Sequence, residues 1–282
     1  IDLYDLADLR GYARVLLLSH MRGHICDMDR LMALCDAAGV TVIEDCAHTM
    51  GAAWKGTPSG RFGTVGCYSC QTYKHINSGA GGLLVTDDPH VAARAIMLSG
   101  SYMLYERHSA APPAHVFDDI KYDTPNISGR MDNLRAAILR PQLADLETQV
   151  QRWNDRYRTL EDGLRGTPGL TVIERPEEET IVGSSIQVLL LDWAASAVRE
   201  VIARCSARGV ELKWFGAPEP VAFTSRYDSW RYAPSKPMAA SDRVLAGIVD
   251  MRVPLPFSIE DCTLIARIIR AEVSAVYQAQ AS

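Results

Sequence analysis

VGCYSCQTYKHINSGAGG, residues 65–82, places a lysine between an apolar stretch and a cluster of small residues. The first part is rich in β-branched and aromatic residues, which predicts a strand. The glycines at the end allow the backbone to turn tightly against a ligand. Lys74 stands between the two parts, where burial or a nearby cation would lower the pKa of its amine and free it to attack a carbonyl. Lys74 is therefore a candidate for imine chemistry, although most lysines at strand ends are solvated.

A second stretch, TVIEDCAHTMG at residues 41–51, contains an aspartate 29 positions before Lys74. Asp45 ends a strand-like run, and a buried carboxylate is costly unless it meets a cation. A pyridinium nitrogen is such a cation, and pairing keeps the nitrogen protonated so that the ring withdraws electrons through an imine. Asp45 together with Lys74 predicts pyridoxal phosphate as the cofactor. Alone, Asp45 would serve equally well as a helix N-cap.

Two neighbouring side chains have the chemistry to complete such a site. His48 could hydrogen-bond the phenolic oxygen of the ring, and Ser69 could donate to the phosphate. The alternatives are an ordinary core or surface histidine and an ordinary strand residue. Cys67 and Cys70 have C-x-x-C spacing, but a strand points positions i and i+3 to opposite faces. With no second pair nearby, a zinc or redox site is disfavoured, and we predict no metal.

Composition limits the class of protein. The chain has 282 residues, 48% hydrophobic and 22% charged, enough for a large core or two domains. No apolar run reaches the ~18 residues of a membrane span. Seven scattered cysteines predict free thiols in a reducing compartment, hence a cytoplasmic protein. The net charge of −5 argues against a general nucleic-acid binder.

The order of elements predicts an α/β fold. An apolar strand at residues 13–19, a helix at 27–38 and a strand at 40–43 form a βαβ unit, which favours a parallel sheet covered by helices. In such sheets ligands collect beyond the carboxyl ends of the strands. We predict a large domain over residues 1–150 and a smaller C-terminal α/β domain over residues 151–282.

Three blocks of sequence carry a family resemblance. They are HMRGHICDMDRL at residues 20–31, IEDCAHTMGAAWKGTPSGRFGTVGCYSCQTYKHINSGAGGLLVTDD at 43–88, and NISGRMDNLRAAILRPQL at 126–143. The middle block follows the order E-D-x-A-[QH]-x-x-G, F-G-x-x-G-C-[YF]-S, a lysine five residues after the serine, and G-G-x-[LV]-V-T-D-D. The chain resembles the DegT/DnrJ/EryC1/StrS family of pyridoxal-phosphate enzymes, the sugar aminotransferases. The resemblance is strong to about Leu146 and weak beyond it.

The resemblance implies the PLP-dependent transferase fold of type I, with a three-layer αβα large domain, a mainly parallel sheet and a smaller C-terminal domain. It implies that Lys74 is the Schiff-base lysine and carries the proton between substrate and cofactor carbons. Asp45 becomes the partner of the pyridine nitrogen, His48 lies beside the ring, and Ser69 is a phosphate ligand. Asn126 corresponds to an asparagine that reaches the phosphate of the neighbouring subunit's cofactor, which implies a homodimer with shared sites.

The chain departs from the family pattern in two places that concern ligands. Asn126 stands four residues before Arg130 instead of two, where Ser128 is found. Residues 101–124 are also atypical, which leaves the acceptor substrate open. Arg130, His20 and Arg22 could meet a substrate carboxylate or phosphate, although a structural, ion-paired arginine fits the sequence equally well.

The first residues read like the interior of a domain. The sequence begins with Ile1 and without an initiator methionine, so we expect the native chain to begin earlier and the large domain to be incomplete here. The family segment missing from this chain supplies a phosphate contact and a group stacked on the ring.

The resemblance implies an aminotransferase that moves an amino group from glutamate or glutamine to a keto group of a sugar nucleotide or related metabolite. One alternative keeps the cofactor and performs a dehydration or elimination. Lysine at position 74 favours transamination over the relatives that have histidine there to remove a hydroxyl. The other alternative is a non-catalytic regulatory protein that retains the fold.

Overall fold

The computed structural model describes residues 3–8, 13–125, 127–221, 226–232 and 235–280. The chain divides into two compact units. Unit 1 comprises Ile1–Thr148 and Glu177–Val182, and unit 2 comprises Gln149–Pro176 and Gly183–Ser282. The domain boundary between residues 150 and 151 stays a prediction from sequence. The short segment Glu177–Val182 returns to unit 1 after the chain has entered unit 2.

In chain order the α-helices are α1 (Leu3–Asp8), α2 (Met28–Ala38), α3 (Pro89–Leu98), α4 (Asn133–Ala144), α5 (Leu146–Leu164), α6 (Ala195–Ala207), α7 (Ala239–Gly247) and α8 (Ile259–Gln280). The strands are β1 (Val15–Ser19), β2 (Thr41–Asp45), β3 (Ala53–Trp54), β4 (Thr57–Pro58), β5 (Val65–Ser69), β6 (Gly82–Val85), β7 (Thr171–Val172), β8 (Glu179–Thr180), β9 (Ser185–Leu189), β10 (Lys213–Trp214) and β11 (Ile248–Arg252). Within the described residues, no helix is both long and apolar enough to span a membrane.

The main sheet of unit 1 has the strand order β1-β2-β5-β6. The first three strands are parallel, and β6 runs antiparallel to β5. In this register Ser19 lies opposite Asp45, and Asp45 lies opposite Cys67. The carboxyl ends of three strands therefore meet at one edge of the sheet, as the βαβ pattern predicted.

Helix α2 forms because its sequence supplies both ends and an apolar face. The carboxylate of Asp27 accepts a hydrogen bond from the N–H of Arg30 at 3.1 Å and caps the first turn. Leu31 and Cys35, four residues apart, are buried on the same face. Gly39 ends the helix with φ of 64°, a left-handed conformation that glycine adopts without strain. The helix thereby returns the chain to β2, beside β1.

A small second sheet of unit 1, β4-β3-β8, contains residues from distant parts of the sequence. Trp54 lies opposite Glu179 in an antiparallel pair. The buried carboxylate of Glu179 also accepts a hydrogen bond from the N–H of Ile25 at 2.9 Å. The returning segment therefore holds the end of the loop that leads from β1 to α2.

Unit 2 contains a four-stranded sheet in the order β10-β11-β9-β7, in which all neighbours are antiparallel. Helices α6 and α8 pack against each other. Val198 and Val201 on α6 and Ile269 and Val273 on α8 are buried, at the i, i+3 and i, i+4 spacings of an amphipathic helix. All seven cysteines of the chain are free thiols.

Candidate active site

Lys74 and His48 come together at the carboxyl edge of the parallel strands. Lys74 lies in the loop after β5, and its N–H bonds the carbonyl of Gln71 at 2.9 Å in a tight turn. His48 lies in the turn after β2. The Nζ of Lys74 is 3.1 Å from the Nε2 of His48, and both side chains are half-buried. The fold thus joins two basic groups that are 26 residues apart.

The carboxylate of Asp45 is fixed from two sides at the end of β2. Its Oδ2 accepts a hydrogen bond from the Oγ of Ser19 at 3.0 Å, and its Oδ1 accepts one from the N–H of Ala47, also at 3.0 Å. The next element along the chain is β3, so Asp45 does not cap a helix. Asp45 is half-buried and oriented, and each of its oxygens can accept a further bond.

Ser69 ends β5, the strand next to β2. Asp45 lies opposite Cys67, and Ser69 is two residues further on, so all three point to one face of the sheet. The Oγ of Ser69 accepts a hydrogen bond from the N–H of Gln71 at 3.3 Å. Its hydroxyl proton can be donated to an anion at this edge.

Glu44, the residue before Asp45, points to the opposite face and is fully buried. Its Oε2 accepts hydrogen bonds from the Nε2 of His20 at 3.0 Å and from the N–H of Gly60 at 2.8 Å. Its Oε1 accepts from the N–H groups of Phe62 and Gly63 at 2.8 and 2.7 Å. Glu44 therefore ties β2 to the turn that leads into β5. Glu44 was not among the predicted site residues, because a glutamate within a strand carries no local signal of this role.

The ionisation of Glu44 follows from these bonds. Burial acts to raise the pKa of the carboxyl, but hydrogen bonds from His20, Gly63, Gly60 and Phe62 outweigh burial and lower the pKa below its ordinary value of 4.5. Since a carboxylate can only accept, the Nε2 of His20 carries the hydrogen in this contact. The imidazole of His20 is 1% exposed. A contact between His20 and the substrate stays a prediction.

We expect the Glu44→Gln variant to be less stable than the wild type by roughly 3 kcal/mol at pH 7. The amide NH2 of the new glutamine would face backbone N–H groups that now donate to Glu44, so two donors would meet without an acceptor. Because the pKa of Glu44 is lower in the folded chain, its stabilisation is fully present above pH 4.5 and is lost as the pH falls through the folded pKa. Urea unfolding at pH 7 and at pH 4 measures the free energy of unfolding of the wild type and of the variant.

The difference in unfolding free energy between wild type and Glu44→Gln should be smaller at pH 4 than at pH 7, because only the wild type has a carboxyl group at position 44 that becomes protonated. Glu178→Gln, at an exposed glutamate of the same unit, is the matched control and should change little. Equal stability of Glu44→Gln and wild type at pH 7 would contradict the role of this carboxylate.

His20, Glu44 and Cys46 have ligand atoms within 4.8 Å of one another, a spacing that suits a metal ion. Their chemistry does not. The two oxygens of Glu44 already accept four hydrogen bonds, which occupies the lone pairs of a carboxylate. Burial raises the pKa of the Cys46 thiol to about 12, so the thiol stays protonated beside Glu44 in this structure. His20 and Glu44 form a buried hydrogen-bonded pair, and Cys46 is buried near them.

The three remaining predicted residues lie as follows. Arg22 follows β1 in a short 3-10 turn and has φ of 57°, a left-handed conformation uncommon for arginine. The Nη1 of Arg130 donates to the carbonyl of Gly100 at 3.1 Å, and its guanidinium lies 5.5 Å from the ring of Tyr102. Asn126 lies outside the described residues. Their contacts with substrate or cofactor stay predictions.

Gln142 on α4 binds the backbone of the Lys74 loop. Its Oε1 accepts from the N–H of Asn77 at 2.9 Å, and its Nε2 donates to the carbonyl of the same residue at 2.8 Å. No local sequence pattern indicates this contact, because the two residues are 65 positions apart. The third block of the family resemblance, residues 126–143, includes Gln142 but did not indicate what it binds.

The polar groups at this edge match those of pyridoxal phosphate. An oriented carboxylate at Asp45 suits a pyridinium nitrogen, and the amine of Lys74 suits an aldehyde. An imidazole at His48 suits a phenolic oxygen, and the hydroxyl of Ser69 suits a phosphate. Asp45 and Ser69 lie on one face of adjacent strands, with the Lys74 loop directly after the second. The residues present therefore fit the cofactor.

The fold agrees with that of solved aminotransferases. One of them is PseC of Helicobacter pylori, an aminotransferase involved in the biosynthesis of pseudoaminic acid. It superposes with a TM-score of 0.81 at 14% identity, and the match covers 98% of this chain and 71% of PseC. Other neighbours include 3-amino-5-hydroxybenzoic acid synthase, with a TM-score of 0.77 at 19% identity over 98% of this chain and 71% of that one. The predicted fold class is confirmed.

Sequence comparison identifies relatives. The dTDP-3-amino-3,4,6-trideoxy-alpha-D-glucose transaminase of Streptomyces venezuelae is 34% identical over 225 residues, 76% of this chain and 52% of that protein. The chain spans about half the length of this relative. A model of the DegT/DnrJ/EryC1/StrS aminotransferase family matches residues 8–270. Because that match covers nearly the whole chain, the chain belongs to the DegT/DnrJ/EryC1/StrS aminotransferase family.

Proposed function

We propose that this chain acts as a pyridoxal-phosphate-dependent aminotransferase on a sugar nucleotide or a related sugar-like ketone. Pyridoxal phosphate is the cofactor of the family, in agreement with the cofactor predicted from Asp45 and Lys74. The observation that carries the proposal is the contact between Lys74 and His48 at the sheet edge where Asp45 ends β2. An amine that can bond the aldehyde and an oriented carboxylate that can pair with the ring nitrogen are groups that transamination uses, and the imidazole can hydrogen-bond the ring.

When bound, the cofactor supplies an electron sink for the carbon attached to the amino group. Asp45 holds a proton on the pyridine nitrogen, and Ser19 and the N–H of Ala47 keep its carboxylate aimed. The Nζ of Lys74 would hold the aldehyde group of the cofactor. When the amino donor takes its place, the free Nζ would carry a proton between the donor carbon and the cofactor.

Two further side chains bind the cofactor in this proposal. Ser69 donates its hydroxyl proton to the phosphate, from the strand that also positions Lys74. His48 hydrogen-bonds the phenolic oxygen of the ring through the Nε2 that contacts Lys74 in this structure. Both residues would orient the cofactor so that its ring nitrogen meets the Asp45 carboxylate.

The names of relatives support the substrate class. The Streptomyces venezuelae relative is named for a dTDP-sugar. An L-glutamine:2-deoxy-scyllo-inosose aminotransferase of Streptomyces kanamyceticus is 33% identical over 187 residues, 59% of this chain and 42% of that protein. We therefore propose glutamine or glutamate as the donor and a cyclic keto-sugar or keto-cyclitol as the acceptor. Arg22 and Arg130 are candidates to bind its charged groups.

A homodimer with shared sites is part of the proposal. Apolar side chains close to Arg130 in sequence are exposed in the single chain, including Ile127 at 54% and Leu134 at 72%. A second copy would cover them and bring Asn126 to the phosphate of its neighbour. Sedimentation of the purified protein should show a dimer, and a monomer at micromolar concentration would contradict this part.

The test separates the two half-reactions. The cofactor-loaded protein is mixed with each amino donor, and we expect glutamine or glutamate to convert the cofactor to its amine form, seen as a change in its absorbance. A panel of keto-sugar nucleotides and keto-cyclitols is then added, and mass spectrometry should find an aminated product. A cofactor that no donor converts would contradict transamination. A product that lacks a hydroxyl without gaining an amine would indicate elimination.

A further inference from the structure

The loop that carries Lys74 is closed on itself at its base. The N–H of Cys70 bonds the carbonyl of Gly81 at 2.9 Å, and the N–H of Ser78 bonds the carbonyl of Cys70 at 3.1 Å. These bonds join the end of β5 to the start of β6. They do not reach the residues between Lys74 and Asn77, where the chain must be held by something else.

Helix α4 holds that part of the loop. Gln142 binds both backbone groups of Asn77, three residues after Lys74, at 2.9 and 2.8 Å. Its Nε2 also donates to the carbonyl of Ile138 at 2.9 Å, which fixes the side chain against its own helix. Paired bonds from one amide fix orientation as well as distance, and a half-buried backbone pair without partners is unfavourable.

Apolar contacts support the same part of the loop. Ile76, next to Asn77, is 1% exposed and packs in a cluster with Met50, Cys70 and Leu139. Leu139 lies one turn before Gln142 on α4, so one helix face supplies both the apolar and the polar contact. A methyl group added at Gly81 would meet the Cε of Met131 at 2.8 Å, so the loop is also closely packed at its far end.

We propose that Gln142 is a positioning residue for Lys74. By holding the backbone of Asn77, its amide fixes the loop in the conformation that presents the Lys74 amine to the cofactor. In this role Gln142 acts on the Lys74 amine through the backbone of the loop. This role rests on the proposed function of Lys74, and it assigns part of that function to α4, 65 residues further along the chain.

The main variant is Gln142→Met, which keeps the length of the side chain and removes both bonds to Asn77. Arg140→Met, at an exposed position of the same helix, is the matched control. Gln142→Glu is a second variant, since its carboxylate still accepts from the N–H of Asn77 but repels the carbonyl. All are compared as full chains, loaded with pyridoxal phosphate for hydrogen exchange and freed of it for the measurement of cofactor bonding.

Hydrogen exchange measured by mass spectrometry reports the loop directly. We expect peptides that cover residues 71–81 to exchange at least tenfold faster in Gln142→Met than in wild type. Peptides that cover β1 and β2 should not change, and Arg140→Met should match wild type throughout. In Gln142→Glu the exchange rate of residues 71–81 should lie between the rates of wild type and Gln142→Met. Unchanged exchange across residues 71–81 in Gln142→Met would overturn the proposal.

The second readout is the rate at which Lys74 bonds added pyridoxal phosphate, followed by absorbance. It should fall about tenfold or more in Gln142→Met, and kcat should fall while the KM for the donor changes little. A loop that exchanges faster but bonds the cofactor at the wild-type rate overturns the positioning role alone. A wild-type protein that never bonds the cofactor through Lys74 overturns the proposed function, and this role with it.

Discussion

Replacing Lys74 with alanine is expected to abolish the covalent bond to pyridoxal phosphate and to lower turnover on the order of 10³-fold or more. Alanine can neither bond the aldehyde carbon nor carry a proton between the two reacting carbons. Borohydride reduction followed by peptide mass spectrometry measures the bond: the wild type should carry the cofactor on the peptide that contains residue 74. A donor and acceptor assay measures turnover.

Lys55→Ala is the matched control for this loss of an amine. Lys55 is exposed and pairs with Asp29 at 2.6 Å on the surface of unit 1. Its removal should change neither the bound cofactor nor turnover, since exposed pairs contribute little. A small external amine should restore part of the activity of Lys74→Ala. If Lys74→Ala keeps the attached cofactor and full turnover, the assignment of the lysine is wrong.

Replacing Asp45 with asparagine should lower kcat by roughly 10²–10⁴-fold while the cofactor still bonds Lys74. The amide keeps the shape of the carboxylate and loses the charge that holds a proton on the pyridine nitrogen. The ring then withdraws electrons poorly, so proton removal from the donor slows. Rapid-mixing measurement of the donor half-reaction separates this effect from a loss of cofactor binding.

Ser19→Ala provides a graded version of the same test. It removes the hydrogen bond from Ser19 Oγ to Asp45 Oδ2 and should slow the half-reaction about fivefold, the equivalent of one hydrogen bond of about 1 kcal/mol. Asp36→Asn, at an exposed aspartate of α2, should behave as the wild type. A wild-type rate in Asp45→Asn would exclude Asp45 as the partner of the ring nitrogen.

Much of the fold and of the proposed cofactor site follows from local sequence. The run of apolar residues in β1 and β2, with a capped helix between them, specifies a parallel pair, because side-chain periodicity and helix caps act over a few residues. The ends of such strands point to one edge, so Asp45 and Lys74 could be named as a pair from their spacing and motifs. His48 and Ser69 were candidates from their chemistry, and the family resemblance favoured those roles over the alternatives that their residue types leave open.

Other features depended on tertiary structure. The opposite directions of Glu44 and Asp45 follow from strand pleating, but the burial of Glu44 against His20 and the Gly60–Gly63 turn requires the register of three strands. The contact between Lys74 and His48 likewise requires β2 and β5 to be neighbours.

The sequence by itself determined the strand and helix pattern, the membership of a family and the residue types that suit pyridoxal phosphate. Only the tertiary structure decided which distant side chains hold the loops around these residues. Gln142 hydrogen-bonds the backbone of Asn77, and Glu179 hydrogen-bonds the N–H of Ile25 across 154 residues. The physical reason is the distance along the chain over which each kind of interaction acts. Backbone propensity and side-chain periodicity act between near neighbours in the chain, whereas a buried hydrogen bond forms only where packing brings a donor and an acceptor together.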